Sequence, residues 1–383
     1  MTGRERLLAA LRGACPDRVP ISTYELVGFN SRAFENLDPS YARLMQAVRA
    51  LTDCVCMWEP HSNAAAAKTD HLGDFLETTS HAVEMETVSS QQGNRTVVHR
   101  TLHTPQGGLT SVCEVFANLQ TVWKTEHWCK SIEDVERLLS VPYEPVDYDF
   151  SDAARIRSEV GQHGIIMSTV FDPLGWAVDM MRLEDVLLWA YTEPAHFQRT
   201  LGRIHERSLE NLRRRLRSGV VDLYRIAGPE VATPPYMHRE AFERYVLPYV
   251  KDMVALIHDH NCLVRIHCHG RIGSVLDLLA ATGAEALDPC EGPPDGDVPL
   301  GDVKAQIGDR MCLFGNLQPK VLERGSRAEI RQAVQQCMDA AKAGGGYVIM
   351  PTAAPIETPL PEKITDNYLW YIESARALGE YAP

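Results

Sequence analysis

The chain has 383 residues, a formal net charge of −13, and 45% hydrophobic and 23% charged residues. This composition is typical of a globular protein with a large core and excludes a disordered one. The excess of acidic residues argues against nucleic acid as the main partner, because binding to phosphates needs a basic surface.

The N-terminal segment, MTGRERLLAALRG, has the pattern of an amphipathic helix with charges spread through it. It lacks the apolar stretch of a signal peptide, and no apolar run elsewhere approaches the length of a membrane span. Ten cysteines are scattered over predicted strands and helices, which is typical of reduced thiols rather than of a disulfide framework. We therefore expect a cytoplasmic enzyme with no membrane segment.

Short apolar runs alternate with helical patterns along most of the chain. The predicted strands cover 18–23, 53–58, 164–170, 220–226, 262–267, 284–288, 311–314 and 347–350. The predicted helices between and after them cover 41–51, 192–218, 239–258, 272–281, 300–307, 327–343 and 364–378. Strands joined by crossover helices form a parallel sheet, and eight of them close a barrel.

The predicted fold class is therefore α/β, a (β/α)8 TIM barrel with an N-terminal helical lead-in, forming a single domain over residues 1–383. A doubly wound open sheet is the alternative, but no glycine-rich phosphate turn follows a predicted strand. Between 81 and 125 the hydrophobic period changes to two, with turns at 92–94 and 106–108. This pattern predicts an inserted antiparallel β-meander.

Polar side chains follow nearly every predicted barrel strand, at the end where active sites of such barrels lie. They include Asp172, Glu230, Asn316 and Gln318, which we take as catalytic candidates that orient substrate, move protons or donate hydrogen bonds. The alternative for the two carboxylates is a helix-start position favoured by the helix dipole. The two amides could equally be turn residues.

A His-Cys-His sequence at 267–269 ends the fifth predicted strand. Residues two apart lie on one face of an extended segment, so His267 and His269 are predicted to be neighbours. The next strand end supplies Cys290 and Glu291, and imidazole, thiolate and carboxylate are all zinc ligands. The alternative is that the histidines bind backbone or substrate and the thiols are ordinary core groups.

Several segments together resemble the uroporphyrinogen decarboxylase-like superfamily over essentially the whole chain. They are RERLLAAL at 4–11, PDRVP at 16–20, HCHG at 267–270, FGNLQP at 314–319 and ETP at 357–359. True uroporphyrinogen decarboxylases carry an arginine-rich signature near the start, whereas residues 21–29 (ISTYELVGF) contain no arginine. The resemblance therefore points to the methyltransferase branch, the corrinoid-dependent zinc methyltransferases.

That branch implies a zinc site with a His-x-Cys pair, a nearby glutamate and a last-strand cysteine. His267 matches the histidine, His269 the first cysteine, and Glu291 lies near the glutamate, whereas 352–355 reads TAAP in place of the last cysteine. The resemblance thus implies zinc or another divalent metal held by His267, His269 and Glu291, with Cys290 a further candidate.

The function implied is metal-assisted transfer of a methyl group between a small methylated compound and a corrinoid or related acceptor. The corrinoid would be carried by a partner protein. One alternative is a metal-free decarboxylase or lyase of a small carboxylate, for which Arg225 and Arg265 lie on suitable strands. Another is a non-catalytic binding barrel. A homodimer is left open.

Overall fold

The computed structural model describes residues 1–62, 84–145 and 147–381. They form two compact units. The barrel unit comprises Met1–Glu59, Asp152–Thr169 and Gly219–Pro383, and the second unit comprises Pro60–Ser151 and Val170–Ser218. A single domain over 1–383 stays a prediction.

The bounds of the strands and helices follow in chain order. The strands are β1 (Cys54–Met57), β2 (His61–Ser62), β3 (Glu84–Gln92), β4 (Arg95–Thr104), β5 (Gly107–Phe116), β6 (Val122–Glu126), β7 (Tyr148–Asp149), β8 (Gly164–Phe171), β9 (Leu223–Ala227), β10 (Leu263–His267), β11 (Ala286–Asp288), β12 (Cys312–Leu317) and β13 (Tyr347–Pro351). The helices are α1 (Gly3–Leu11), α2 (Phe34–Leu37), α3 (Ala42–Leu51), α4 (Ile132–Leu139), α5 (Ala153–Val160), α6 (Pro173–Met180), α7 (Leu183–Thr192), α8 (Pro194–Arg215), α9 (Arg239–Tyr245), α10 (Leu247–His258), α11 (Leu276–Ala280), α12 (Leu300–Ile307), α13 (Pro319–Arg324), α14 (Arg327–Ala341) and α15 (Glu362–Leu378).

Seven strands pair in parallel in the order β1-β8-β9-β10-β11-β12-β13, and a short N-terminal segment closes the ring. Ile349 donates its N–H to Pro20 O at 3.0 Å, Ser22 N–H donates back to Ile349 O at 3.0 Å, and Asp53 N–H donates to Ile21 O at 2.8 Å. The predicted strand at 18–23 is thus a single bridge at Ile21, because Pro20 has no N–H to extend the ladder. The predicted (β/α)8 TIM barrel is confirmed.

The barrel interior is apolar at the N-terminal ends of the strands and charged toward their C-terminal ends. Helix α1 packs beneath the barrel, and Leu7 and Leu11 belong to the same buried cluster as interior side chains of the strands. Those interior side chains are Val55, Ile165, Met167, Leu223, Ala286, Cys312, Phe314, Val348 and Met350. Because side chains alternate along a strand, the next inward positions of β9, β10 and β11 are free to carry charge.

The prediction of one continuous helix over 239–258 is wrong, because the segment forms two helices, α9 and α10. The chain bends at Val246, whose φ is −118° and ψ −60°, and Pro248 occupies the first turn of α10. A proline is tolerated in a first turn but cannot continue an α-helix from the preceding one. The predicted helix at 272–281 likewise starts as a 3₁₀ turn at Gly273–Val275 before α11.

The second unit contains the predicted meander. Strands β3, β4, β5 and β6 pair antiparallel in chain order, and the first two of the three hairpins turn at Gly93 and Gly107 with φ of 65° and 121°. Positive φ is readily adopted by glycine, so the predicted turns at 92–94 and 106–108 are confirmed. The sheet covers 84–126 against the predicted 81–125, of which residues 81–83 lie outside the described residues.

Across the described ranges, no helix is both long and apolar enough to cross a lipid bilayer. All ten cysteines are free, as the expectation of reduced thiols requires, and most of them are buried.

Candidate functional site

Two neighbouring strands, β10 and β11, place a histidine beside a carboxylate in the barrel. His267 and Asp288 are paired residues in the parallel register. The Nδ1 atom of His267 lies 2.9 Å from Oδ2 of Asp288, and the exposed fractions of the two residues are 7% and 0%. Because a carboxylate only accepts hydrogen bonds, Nδ1 is the protonated nitrogen and Nε2 faces away from Asp288.

Arg265 lies one inward position before His267 on β10 and neutralises the same carboxylate. Its Nε atom is 3.0 Å from Oδ1 of Asp288, and its guanidinium lies over the Phe314 ring at 4.9 Å. Burial alone would raise the pKa of Asp288, but the charges of Arg265 and His267 outweigh it and lower that pKa well below its usual range. Asp288 is therefore an ionised carboxylate that contacts two buried cationic or hydrogen-bonding partners, Arg265 and His267.

A second ion pair lies beside the first, because Arg225 of β9 is in register with Arg265. Arg225 contacts Oε1 of Glu25 at 2.8 Å and donates from Nε to Thr169 Oγ1 at 3.2 Å. Its guanidinium also lies 6.0 Å from the centre of the Tyr24 ring. Burial raises the pKa of that phenol, so Tyr24 is neutral at physiological pH.

His269 stands at the edge of this cluster and has its own carboxylate. The two imidazole rings of His267 and His269 are perpendicular, with centroids 4.5 Å apart, which confirms that they share one face. His269 Nδ1 lies 3.1 Å from Oε1 of Glu291, whose other oxygen accepts Gly270 N–H at 2.8 Å. Burial alone would lower the pKa of His269, but Glu291 outweighs it, with help from Asp288 and Glu230, and the net shift is upward.

Two further predicted site residues, Glu230 and Cys290, differ in whether their side chains can take part in the chemistry of the site. Glu230 lies in the 3₁₀ turn after β9, accepts Gly228 N–H at 3.2 Å, and is close enough for its charge to act on His269. Cys290 is fully buried, its thiol donates to Leu287 O at 3.7 Å, and burial raises its pKa well above the usual value. The Cys290 side chain is therefore a core thiol with no thiolate character.

The two predicted amides do not join the histidines. Asn316 donates from Nδ2 to Cys290 O at 2.9 Å and contacts the Cys337 thiol, and with Gln318 it lines a groove beside α13 and α14. Strand alternation would place Asn316 inward, but Gly315 precedes it with φ of 150°, and a Cβ there would meet Pro289 O at 2.1 Å. The backbone departs from a regular strand at this point. The Asn316 amide is held by Cys290 O and the Cys337 thiol, whereas Gln318 is the N-cap residue of α13 without a side-chain hydrogen bond to the helix.

Asp172 belongs to the second unit and follows β8 directly. Its side chain accepts Gly175 N–H at 2.7 Å as the N-cap of α6. This is the helix-start position that the sequence left open as its alternative role.

The donor set around the histidines can be compared with the zinc set implied by the family resemblance. The Nε2 atoms of His267 and His269 have no hydrogen bond to the part of the chain that the structure describes. The described residues hold no group of three or more His, Cys, Asp and Glu side chains arranged around a metal position. Thr352, near the place of the last-strand cysteine, is buried. The set fits an ion held by two imidazoles and otherwise open, and it does not fit a thiolate-rich site.

Asp288 is the functional residue that sequence reasoning missed. The signal was present, because an aspartate ends an otherwise apolar strand (AEALD) and precedes a proline. A charged residue at the last position of a buried barrel strand points into the barrel mouth or pairs with an inward neighbour.

Comparisons with known proteins agree with this architecture. The family model described as "Uroporphyrinogen decarboxylase (URO-D)" matches residues 121–364. A uroporphyrinogen decarboxylase of Geobacter sulfurreducens is 24% identical over 246 residues, covering 60% of this chain and 68% of that protein. One from Chromohalobacter salexigens is 28% identical over 160 residues, covering 41% of this chain and 43% of that protein.

Among solved structures, a methyltransferase from Methanosarcina mazei has the same fold, with a TM-score of 0.64 and 17% identity. The match covers 98% of this chain and 99% of that one. Because the family model covers well over half of the sequence, this chain belongs to the uroporphyrinogen decarboxylase (URO-D) family, a family of enzymes.

Proposed function

We propose that this chain is an enzyme that moves a methyl group between a small methylated compound and a corrinoid or related acceptor. The observation that carries the proposal is the pair of perpendicular imidazoles, each bound through Nδ1 to a carboxylate. Neither Nε2 atom has a hydrogen bond to a residue that the structure describes. A carboxylate behind the imidazole is the usual support of a metal-binding histidine. The full-length fold match to a solved methyltransferase adds to this support.

In this proposal the residues of the chain have distinct tasks. His267 and His269 hold zinc or another divalent metal through Nε2, and a bound metal supplies Lewis-acid activation of an acceptor thiol or oxygen. Asp288 and Glu291 fix the Nδ1-protonated form and the orientation of the two rings. Glu230, whose charge acts on His269, orients the substrate or takes up a proton.

Porphyrin decarboxylation is a poor fit to the charges of the barrel. A substrate with four acetate side chains needs several cations that are free to bind carboxylates. Arg225 and Arg265 are the buried arginines of the barrel interior, and each already has a carboxylate partner, Glu25 and Asp288. A substrate with many carboxylates would have to displace both.

A second candidate function is a metal-free decarboxylase or lyase of a small carboxylate, and Arg225 is the observation that favours it. Its partner Glu25 has a 41% exposed side chain, so a substrate carboxylate could take the place of Glu25 on the guanidinium. Malonate and acetate would then raise the melting temperature, and Arg225→Gln would abolish the effect. Arg239→Gln, in a surface ion pair with Asp277, is the matched control.

The proposed function is tested by metal content and methyl transfer in the same samples. Elemental mass spectrometry of the purified protein should give about one divalent metal ion per chain, and His267→Ala and His269→Ala should each lose it. His258→Ala, in which a surface histidine paired with Glu285 is removed, should keep the metal.

The activity assay follows the visible spectrum of methylcobalamin, a free corrinoid, in the presence of 2-mercaptoethanol without oxygen. Wild-type protein and His258→Ala should accelerate demethylation, and the two site variants should not. Wild-type protein without metal and without effect on methylcobalamin would overturn the proposal and favour the lyase. A cytoplasmic location, a corrinoid-carrying partner protein and a homodimer belong to the same proposal.

A further inference from the structure

A polar cavity lies at the N-terminal ends of the barrel strands, at the other end of those strands from His267. Its volume is about 360 Å³, and it is bounded by the start of α1, the end of α3, the residues before β1 and β8, and the last turn of α15. All of its lining residues belong to the barrel unit. This cavity plays no part in the proposed methyl transfer.

Four arginines line this cavity, and two of them are already neutralised. Arg6 and Arg18 contact the buried carboxylate of Asp53 at 2.6 and 2.7 Å, and Arg6 also contacts Asp17 at 2.6 Å. In this network each of the two guanidinium groups has a carboxylate partner, and the N-terminal ammonium also contacts Asp17, at 3.0 Å. These ion pairs hold α1 against the strands, and they are complete without a ligand.

The other two arginines, Arg49 and Arg376, are not balanced. Arg49 donates from one nitrogen to Gly28 O at 3.0 Å and to the amide oxygen of Asn36 at 3.1 Å. Arg376 donates from one nitrogen to Leu51 O at 3.2 Å. Within the described residues neither has a carboxylate within ion-pair distance. Two positive charges thus remain at one cavity of a chain whose net charge is −13.

We propose that this cavity binds a small dianion of the phosphate class between Arg49 and Arg376. Two unbalanced guanidinium groups match a doubly charged anion, and guanidinium donors bind phosphate oxygens through paired hydrogen bonds. The ligand joins α3 and α15 beside the start of β1, so its binding stabilises the closed barrel by linkage. The same chemistry is offered by inorganic phosphate and by the phosphate of a nucleotide, and the experiment separates these sources.

The test is calorimetric titration of the full-length protein with inorganic phosphate and, separately, with adenosine monophosphate, at constant ionic strength. Saturable binding of one phosphate per chain is expected, and a melting temperature that rises with phosphate concentration should accompany it. Tighter binding of the nucleotide would identify the nucleotide as the source of the phosphate group. Equal or weaker binding would identify the free anion.

The variants make the test specific to this cavity. Arg49→Gln and Arg376→Gln should each weaken phosphate binding at least about tenfold, because each removes a charge-assisted contact. Arg43→Gln is the matched control, since Arg43 lies on the same helix α3, is 57% exposed and pairs with Asp366 outside the cavity. Absence of saturable binding, or equal weakening by the control, would overturn the proposal. His267→Ala should bind phosphate like the wild type, so this result is independent of the methyl-transfer proposal.

Discussion

Replacing Asp288 by asparagine should destabilise the barrel strongly while barely changing its shape. The substitution removes the charge that balances Arg265, whose exposed fraction is 2% and whose Nε lies 3.0 Å from Asp288. Removing one member of a buried ion pair leaves the other charge uncompensated in a poorly solvated site, which costs about 3–5 kcal/mol. The neighbouring Arg225 offers no compensation, because it is itself a cation paired with Glu25.

The assay is urea unfolding followed by far-ultraviolet circular dichroism, with the change in free energy taken from the midpoint shift and the slope. Asp295→Asn is the control, because Asp295 is exposed and pairs with Lys320 at the surface, where such pairs contribute about 1 kcal/mol or less. Adding Arg265→Met to Asp288→Asn should recover at least half of the loss, since the uncompensated charge is then gone. A double variant as unstable as Asp288→Asn, or a single variant that loses less than 1 kcal/mol, would refute this reasoning.

Three further predictions concern other parts of the barrel unit. Gly164→Ala should lower the free energy of unfolding by about 1–3 kcal/mol or more in the same urea assay, because the added Cβ would meet a carbonyl oxygen of β1 at 1.8 Å. Gly202→Ala on α8 is the control, since its Cβ would enter open space and should not change the stability. Iodoacetamide at pH 8 should modify the exposed Cys15 and leave Cys290 unmodified, because Cys290 is buried and burial raises the pKa of its thiol. Peptide mass spectrometry that finds both cysteines modified would contradict this prediction. Burial alone would raise the pKa of Asp222, but its arginine partners lower that pKa in the folded state. Asp222 therefore stabilises the fold above the unfolded pKa of about 4, and this stabilisation is lost as the pH falls below that value. The gap in unfolding midpoint between wild type and Asp222→Asn should therefore narrow from pH 6 to pH 3, and a constant gap would speak against the linkage.

The sequence could predict those features of the site that follow from short-range periodicity. A period of two places His267 and His269 on one face, and the alternation of strands with helices brings the strand ends together. The pairing of His267 with Asp288 was out of reach, because it depends on the register of two strands whose residues are 21 apart in sequence. The position of Asn316 was also out of reach, because its amide contacts Cys290 O and the Cys337 thiol after the irregular backbone at Gly315, which a position after a predicted strand does not reveal.

The order of layers inside the barrel explains why this charged cluster can exist at all. Apolar side chains of the strands and α1 fill the lower part of the barrel, and their burial offsets the desolvation of charges above them. Within the upper part, Arg265 keeps Asp288 ionised, and an ionised Asp288 can only accept a hydrogen bond from His267. With Nδ1 of His267 bound to Asp288, Nε2 is the ring nitrogen that is left for a metal or a proton. In the proposed function Arg265 would therefore be a positioning residue, acting on His267 through Asp288.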